Sequence, residues 1–160
     1  MTVFTKGRDA FSCAYEKYTD TVYRIAVHNT QSVADAEDIT QEVFQKLLEK
    51  SSPIRGEEHL KAWLIRVTIN LCHDFNRKIS RLEVVDSPVA DEPVTYDNSV
   101  LEAVKSLPEN YRNAIYLHYY EGYTAKEIGK ILNAKESTVL SWLSRGRDTL
   151  KDMLGGFEDE

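Results

Sequence analysis

The segment from residue 107 to residue 150 predicts three helices, of which the last two are joined by a short turn. Thr124 and Glu127 form a capping box, because the Thr hydroxyl can accept a hydrogen bond from the backbone N–H of Glu127 while the Glu carboxylate reaches the N–H of Thr124. A helix is therefore expected to begin at Ala125. Asn133 tolerates the left-handed conformation that ends a helix, and another helix follows it. This spacing is typical of a DNA-binding helix-turn-helix.

The last predicted helix has one apolar and one polar face. Its apolar positions lie within about 60° of one another around the helix axis, which predicts a buried stripe. They are Val139, Leu143, Gly146 and Leu150. The residues expected to contact a DNA major groove are Thr138, Ser141, Trp142 and Arg145. Two short amphipathic helices also occur in enzyme cores and protein-binding modules, so the motif alone leaves those classes open.

The charge of the chain limits how tightly it can hold DNA by itself. Its 160 residues carry 20 Lys and Arg against 26 Asp and Glu, a net charge of -6. Residues 124 to 154 carry six basic and four acidic side chains. Because such a weakly basic module gains little from the phosphate backbone, we expect a partner to supply most of the affinity for DNA.

The first 80 residues predict an all-helical domain, with helices over residues 11 to 26, 32 to 50 and 58 to 78. On the second helix the residues expected to face inward are Ile39, Val43, Phe44, Leu47 and Leu48. The third helix is apolar around most of its circumference and leaves a narrow polar stripe. The stripe consists of His59, Arg66, Asn70, His73 and Arg77. Such donors suit phosphates and base edges, although the solvated face of a packed helix has the same pattern.

A linker separates the two helical regions. Residues 82 to 99 contain two prolines, five acidic residues and no basic residue, which predicts an extended segment that is either a solvated spacer or a functional element. We therefore predict an all-α chain of two small domains, residues 1 to 81 and 100 to 155. The acidic linker joins them, and an acidic tail follows at residues 156 to 160.

Composition also argues against several other classes of protein. No run approaches the ~18 to 20 apolar residues of a membrane span, and the N-terminus lacks the apolar stretch of a signal peptide. We expect no membrane insertion and a cytoplasmic location. Cys13 and Cys72 lack the spacing of a metal site or a redox pair. Both are expected to be reduced, packed thiols, and no metal or cofactor is predicted.

Three motifs carry a family resemblance: AEDITQEVFQKL (residues 36 to 47), LKAWLIRVTINLCHDFNRK (60 to 78), and LPENYR followed by EGYTAKEIGKIL and STVLSWLSRGRDTL (107 to 150). In order and spacing they resemble the extracytoplasmic-function class of bacterial RNA polymerase sigma factors. The resemblance implies a region 2 domain of three or four helices that contacts the promoter -10 element. It also implies a region 4 helix-turn-helix domain that contacts the -35 element. The implied partners are core RNA polymerase, promoter DNA and an anti-sigma factor, and the protein outside its complexes is expected to be a monomer.

The resemblance implies roles for individual residues. The polymerase-binding helix of the family corresponds to Asp35, Asp38, Gln41 and Glu42, with Phe44 packing beneath them. The surface near a flipped -10 base corresponds to Asn70, with Arg66, Asp74, Arg77 and Lys78 on or beside it. Contacts with the -35 element are implied for Lys135, Ser137, Thr138, Ser141, Trp142, Arg145 and Arg147. Residues 51 to 58 correspond to the loop that forms a pocket for the extruded base, and the linker to the segment that threads toward the polymerase active centre.

Several positions leave more than one interpretation open. Trp63, at the edge of the polar stripe, suits either core packing or stacking on a base. Lys135 stands where the family often has a capping residue such as Ser, and Leu140 and Trp142 stand where basic residues are common. Because Trp cannot make the bidentate guanine contact that Arg makes, the strength and sequence of -35 recognition are expected to differ from the family pattern.

Two other classes of protein share parts of these features. An autonomous helix-turn-helix transcriptional regulator would account for the C-terminal half, but it usually requires a dimer interface, and the sequence contains no heptads. A metal-dependent phosphohydrolase could use the His73-Asp74 dipeptide together with His28, His59 or His118. These histidines lack the i, i+4 pairing of a helical metal site. We therefore expect a sigma factor that is not an enzyme and has no catalytic residue.

Overall fold

The computed structural model describes residues 3–4, 8–50, 52, 54–82 and 99–155. The chain divides into two compact units, Met1–Val94 and Thr95–Glu160. The first contains the helices α1 (Arg8–Asn29), α2 (Val33–Glu49) and α3 (Glu57–Leu82) and the two-residue strands β1 (Val3–Phe4) and β2 (Ile54–Arg55). The second contains α4 (Ser99–Lys105), α5 (Glu109–Ile115), a π-helical turn (Tyr116–Tyr120), α6 (Ala125–Leu132) and α7 (Glu136–Met153). The predicted all-α class is confirmed.

The three helices of the first unit pack against one another around a single core. Its buried residues are Ala14, Tyr18, Val22, Ala26, Val27, Ala36, Ile39, Val43, Phe44, Leu47, Ile54, Leu60, Leu64 and Cys72. Ser32 caps α2, because its hydroxyl oxygen accepts a hydrogen bond from the backbone N–H of Asp35 at 3.1 Å. Asn76 donates from Nδ2 to the carbonyl oxygen of Asn29 at 2.7 Å, which ties α3 to the end of α1.

Two predictions for this unit are wrong in detail. Leu48 was expected to face inward, but its side chain is 53% exposed. It lies roughly 100° around α2 from the buried Leu47, beyond the apolar stripe that faces the core. Cys72 is buried as predicted, whereas Cys13 is exposed.

A short antiparallel strand pair was also not predicted. Val3 lies opposite Arg55, and Phe4 lies opposite Ile54. The pair joins segments about 50 residues apart, and two residues are too few to show the alternation that marks a strand.

The second unit packs α5 and α6 against α7, with α4 covering parts of α5 and α7. The predicted capping box is confirmed: the N–H of Glu127 donates to Thr124 Oγ1 at 3.1 Å, and the N–H of Thr124 donates to Glu127 Oε1 at 2.9 Å. Asn133 has a φ of 58°, so α6 ends in the left-handed conformation that the sequence predicts. The separate helix α4 and the π-helical turn that continues α5 were not predicted.

The turn between α4 and α5 is closed by Arg112. Its guanidinium donates to the carbonyl oxygens of Lys105 at 3.3 Å and Leu107 at 2.8 Å. Burial lowers the pKa of the Lys105 ammonium, and the neighbouring Arg112 charge lowers that pKa further. The half-buried Lys105 and the neighbouring Arg112 therefore contribute to packing within the second unit.

Helices occupy both ends of the predicted linker, because α3 ends at Leu82 and α4 begins at Ser99. The rest of the linker, residues 83 to 98, and the predicted acidic tail, residues 156 to 160, lie outside the described residues. Within the described ranges, no helix combines the length and hydropathy needed to cross a membrane.

Candidate functional site

The outer face of α2 presents exposed polar side chains. Asp38, Gln41 and Glu42 are exposed and line one shallow depression, whereas Asp35 is half-buried near the start of the helix. The depression extends to Gln45, Lys46 and Glu49. None of these three was predicted as a site residue, although their spacing from Asp38 places them on the same helical face. The structure therefore brings together a polar surface longer than the sequence analysis assigned.

Phe44 lies beneath this face and is only 4% exposed. Its ring packs edge-on against Phe11, with centroids 6.2 Å apart, and lies 5.0 Å from the ring of Tyr15. Phe44 therefore supports the outer face of α2 from inside the unit, and a partner protein cannot contact it without rearrangement.

The polar stripe of α3 is exposed along the helix. The candidate -10 residues Arg66, Asn70, Asp74, Arg77 and Lys78 are all exposed. Arg77 Nη2 lies 3.8 Å from Asp74 Oδ1. Because an exposed ion pair of this kind adds little to stability, both side chains can rearrange when a nucleic acid approaches.

Trp63 is half-buried and packs against the core of the first unit. The ammonium of Lys50 lies 5.7 Å from the centroid of its ring. This position favours the core-packing interpretation of Trp63, since one face of the ring is engaged by the protein itself.

The outward side of α7 carries most of the candidate -35 residues. Lys135 is the N-cap of α7 and makes no capping hydrogen bond through its side chain. Of the candidates, Lys135, Ser137 and Arg145 are exposed, and Thr138, Ser141 and Trp142 are half-buried. The opposite side is packed: Val139, Leu143 and Gly146 are buried, as predicted, and Leu150 is half-buried.

Arg147 does not lie with the other candidates on α7. It is about 180° around the helix from Thr138, and its Nη1 donates to the hydroxyl oxygen of Tyr119 at 3.0 Å. Leu140, which is 52% exposed, also lies on that far side. The structure therefore separates Arg147 from the surface formed by Thr138, Ser141 and Arg145.

In the part of the chain that the structure describes, no three His, Cys, Asp or Glu side chains are grouped so that they could hold a metal ion. The candidate surfaces are extended, solvent-exposed helical faces. Such surfaces suit macromolecular partners rather than a small substrate.

Both units match known sigma-factor regions. The family model of Sigma-70 region 2 matches residues 14–82, and that of Sigma-70, region 4 matches residues 97–150. The ECF RNA polymerase sigma factor SigE of Mycolicibacterium smegmatis is 34% identical over 90% of this chain, which spans 61% of the length of SigE. The RNA polymerase sigma factor SigZ of Bacillus subtilis is 31% identical, over 80% of this chain and 76% of SigZ. The chain belongs to the RNA polymerase sigma factors.

A solved structure supports the fold of this sigma factor. RpoE from Bartonella quintana, in complex with the anti-sigma factor NepR, superposes with a TM-score of 0.74 at 23% identity, covering 94% of this chain and 98% of RpoE. Family membership makes the protein a transcription initiation factor and not an enzyme. It decides against both the autonomous regulator and the metal-dependent phosphohydrolase.

Proposed function

We propose that this sigma factor binds core RNA polymerase through the outer face of α2 and contacts two promoter elements through two other helices. The polar stripe of α3 faces the -10 element, and the outward side of α7 faces the -35 element. One observation carries the proposal: each exposed face belongs to the unit that matches the corresponding sigma region. We propose the division into residues 1 to 81, a linker of residues 82 to 99 whose two end residues belong to α3 and α4, and residues 100 to 155.

The α2 surface suits a basic protein partner. Asp38 and Glu42 place two carboxylates beside the amide of Gln41 in the same depression. Carboxylates that pair with Arg or Lys of a partner form charge-assisted hydrogen bonds, which are stronger than neutral ones. Because Phe44 is packed below, the helix presents these groups from a rigid base.

The α3 stripe suits single-stranded promoter DNA. Holding a base outside the stack costs a few kcal/mol, so contacts from the protein must offset that cost. Asn70 offers a donor and an acceptor to a base edge, and the neighbouring Arg66 and Arg77 suit phosphates. The half-buried Trp63 contributes packing rather than readout.

The α7 surface suits duplex DNA only when a partner helps to hold it. Residues 124 to 154 carry only two more basic than acidic side chains, and the half-buried Trp142 stands among the polar candidates of α7. Polymerase anchored at α2 raises the local concentration of promoter DNA at α7. We further propose that the protein acts in the cytoplasm, where core polymerase is, and that an anti-sigma factor regulates it, as the RpoE–NepR complex illustrates for another sigma factor.

Run-off transcription with purified core polymerase on genomic fragments tests the proposal and identifies promoters at the same time. The chain should convert core polymerase into an enzyme that initiates at discrete sites. Absence of promoter-specific transcripts would refute the function.

The Asp38→Ala, Gln41→Ala double variant tests the polymerase surface. It should weaken association with core polymerase while leaving thermal stability within about 0.5 kcal/mol of the wild type, as is usual for surface changes. Glu37→Ala removes an exposed acid of the same helix outside the depression and serves as the control. Affinity for core that is unchanged, or that falls equally in the control, would argue against this surface.

A further inference from the structure

Glu57 links the start of α3 to the middle of α1. Its Oε1 accepts hydrogen bonds from Lys17 Nζ at 2.8 Å and from the hydroxyl of Tyr18 at 2.5 Å. The two donors are neighbours on α1 and lie about 40 residues from Glu57 in the sequence. We call these three residues the α1–α3 clamp.

The clamp is anchored in the core and is charged at neutral pH. Tyr18 is only 7% exposed and belongs to the core of the first unit. The hydrogen bond from Lys17 and then that from Tyr18 lower the pKa of the Glu57 carboxyl, against a smaller opposing effect of burial. The carboxylate is therefore ionised at neutral pH. Its Oε1 accepts a hydrogen bond from the Tyr18 hydroxyl, which the core of the unit holds in place.

The segment just before Glu57 is fixed from several sides. Ile54 is buried in the core, and Gly56 adopts a φ of 86°, which favours glycine. His59, the first residue of the α3 polar stripe, contacts the carbonyl oxygen of Arg55 through Nδ1 at 3.0 Å. Ile54 is thus packed in the core, Glu57 is held by the clamp, and Arg55 between them contacts His59 of the polar stripe.

An exposed ion pair adds little to the stability of a folded unit. Lys17 and Glu57 have side chains that are 60% and 51% exposed, so the clamp is a weak stabiliser of a unit that already has an extensive core. What the clamp does directly is to hold the first residue of α3 against α1. Restricting a loop in its bound conformation raises affinity because less conformational entropy is lost on binding.

We infer that the α1–α3 clamp is a positioning device, in which Lys17, Tyr18 and Glu57 preset the end of the loop before α3, residues 54 to 56, to receive an extruded -10 base. The inference rests on the proposed function, since it assumes that this loop and the α3 stripe face the -10 element. The clamp residues do not contact the base; they act through the backbone of residues 54 to 56.

The test compares two pre-melted promoter templates that differ at one site. One carries the extruded -10 base, and the other has an abasic site in its place. Binding of holoenzyme assembled from core polymerase and each variant is measured on both templates. Glu57→Ala and Lys17→Met should lose about threefold to tenfold in affinity for the template with the base, within the range seen for residues that act through others. Neither should lose affinity for the abasic template.

Three comparisons separate positioning from a general structural role. Glu57→Gln keeps an acceptor for Tyr18 and should recover part of the affinity lost in Glu57→Ala. Glu16→Ala removes an exposed acid one residue from Lys17 and should behave as wild type on both templates. Lys17 is exposed, so Lys17→Met reports on the clamp even if Glu57→Ala lowers the stability of the unit.

Equal losses on the two templates, or no loss on either, would overturn the clamp while leaving the proposed function intact. If the wild-type holoenzyme itself fails to distinguish the base from the abasic site, the proposed -10 contact fails, and the clamp fails with it.

Discussion

Asn70 and Arg145 are exposed residues on helices of different units, and their side chains offer different chemistry to DNA. The amide of Asn70 has both donor and acceptor groups and can match the edge of one base. Arg145 lies about two to three turns into α7, where a guanidinium can contact phosphate as readily as a base. The two residues should therefore contribute in different ways to promoter use.

Asn70→Ala should impair opening and discrimination at the -10 element. Loss of one base contact should cost about 1 to 3 kcal/mol at a single promoter position. Arg145→Ala should instead weaken -35 binding. If Arg145 contacts phosphate, the loss should be similar across -35 sequences, and the salt slope should fall by about one.

Permanganate footprinting on a promoter with a pre-melted -10 bubble separates the two variants. Asn70→Ala should show a defect there, whereas Arg145→Ala should be close to wild type. Equal loss of the bubble complex in both variants would mean that the two units are wrongly assigned to the two elements.

At the scale of helices, the turn between α6 and α7 depends on a close approach at Gly129. A Cβ added there would lie 2.5 Å from the carbonyl oxygen of Ala134, and the N–H of Ala134 donates to the carbonyl oxygen of Gly129 at 2.8 Å. The backbone of the turn thus folds directly onto α6 at a position that has no side chain. This contact constrains the path of the chain into α7, which carries the candidate -35 residues.

Gly129→Ala should destabilise the second unit and weaken -35 binding. Overpacking costs about 1 to 3 kcal/mol, which exceeds the about 1 kcal/mol that Ala gains over Gly in a helix. Thermal unfolding of the free chain reports the loss of stability. Binding of the holoenzyme to a duplex that carries the -35 element reports the loss of affinity.

Gly146→Ala is the matched control on α7. Its Cβ would lie 2.9 Å from Cγ1 of Ile115, a side-chain atom, whereas Ala134 presents a backbone oxygen at 2.5 Å to Gly129. The Gly146 variant should therefore be less destabilised. A Gly129→Ala protein as stable as Gly146→Ala would show that the turn is not sterically determined.

At the level of the full chain, the acidic linker is predicted to be either a solvated spacer or an element that acts inside polymerase. Neutralising Asp86, Asp91, Glu92 and Asp97 to Asn or Gln should lower the yield of initiation more than it lowers promoter binding, if the acids occupy a basic path inside the enzyme. A solvated spacer should respond to changes in length but not in charge. Comparing transcript yield with promoter occupancy distinguishes the two, and equal yields from neutral and acidic linkers would favour the spacer.

Features that depend on residues close together in the chain could be predicted from the sequence. The capping box of Thr124 and Glu127, the left-handed Asn133 and the buried stripe containing Val139 and Leu143 were all predicted and are all observed. A capping box requires only two residues three positions apart. A buried helical stripe requires only that apolar residues recur at the helical period. These local signals were sufficient for the all-α class and for the helices that carry the candidate surfaces.

Contacts between residues from distant parts of the chain could not be predicted, because they depend on how the helices pack. The contact of Glu57 with Lys17, the hydrogen bond from Arg147 to Tyr119 and the exposure of Leu48 all depend on how helices pack. A helical period gives the direction of a side chain around its own axis, but it does not say which neighbouring helix, if any, lies in that direction. For that reason the sequence placed Leu48 in the core, whereas packing leaves it exposed, and the hydrogen bond from Arg147 to Tyr119 was not predicted.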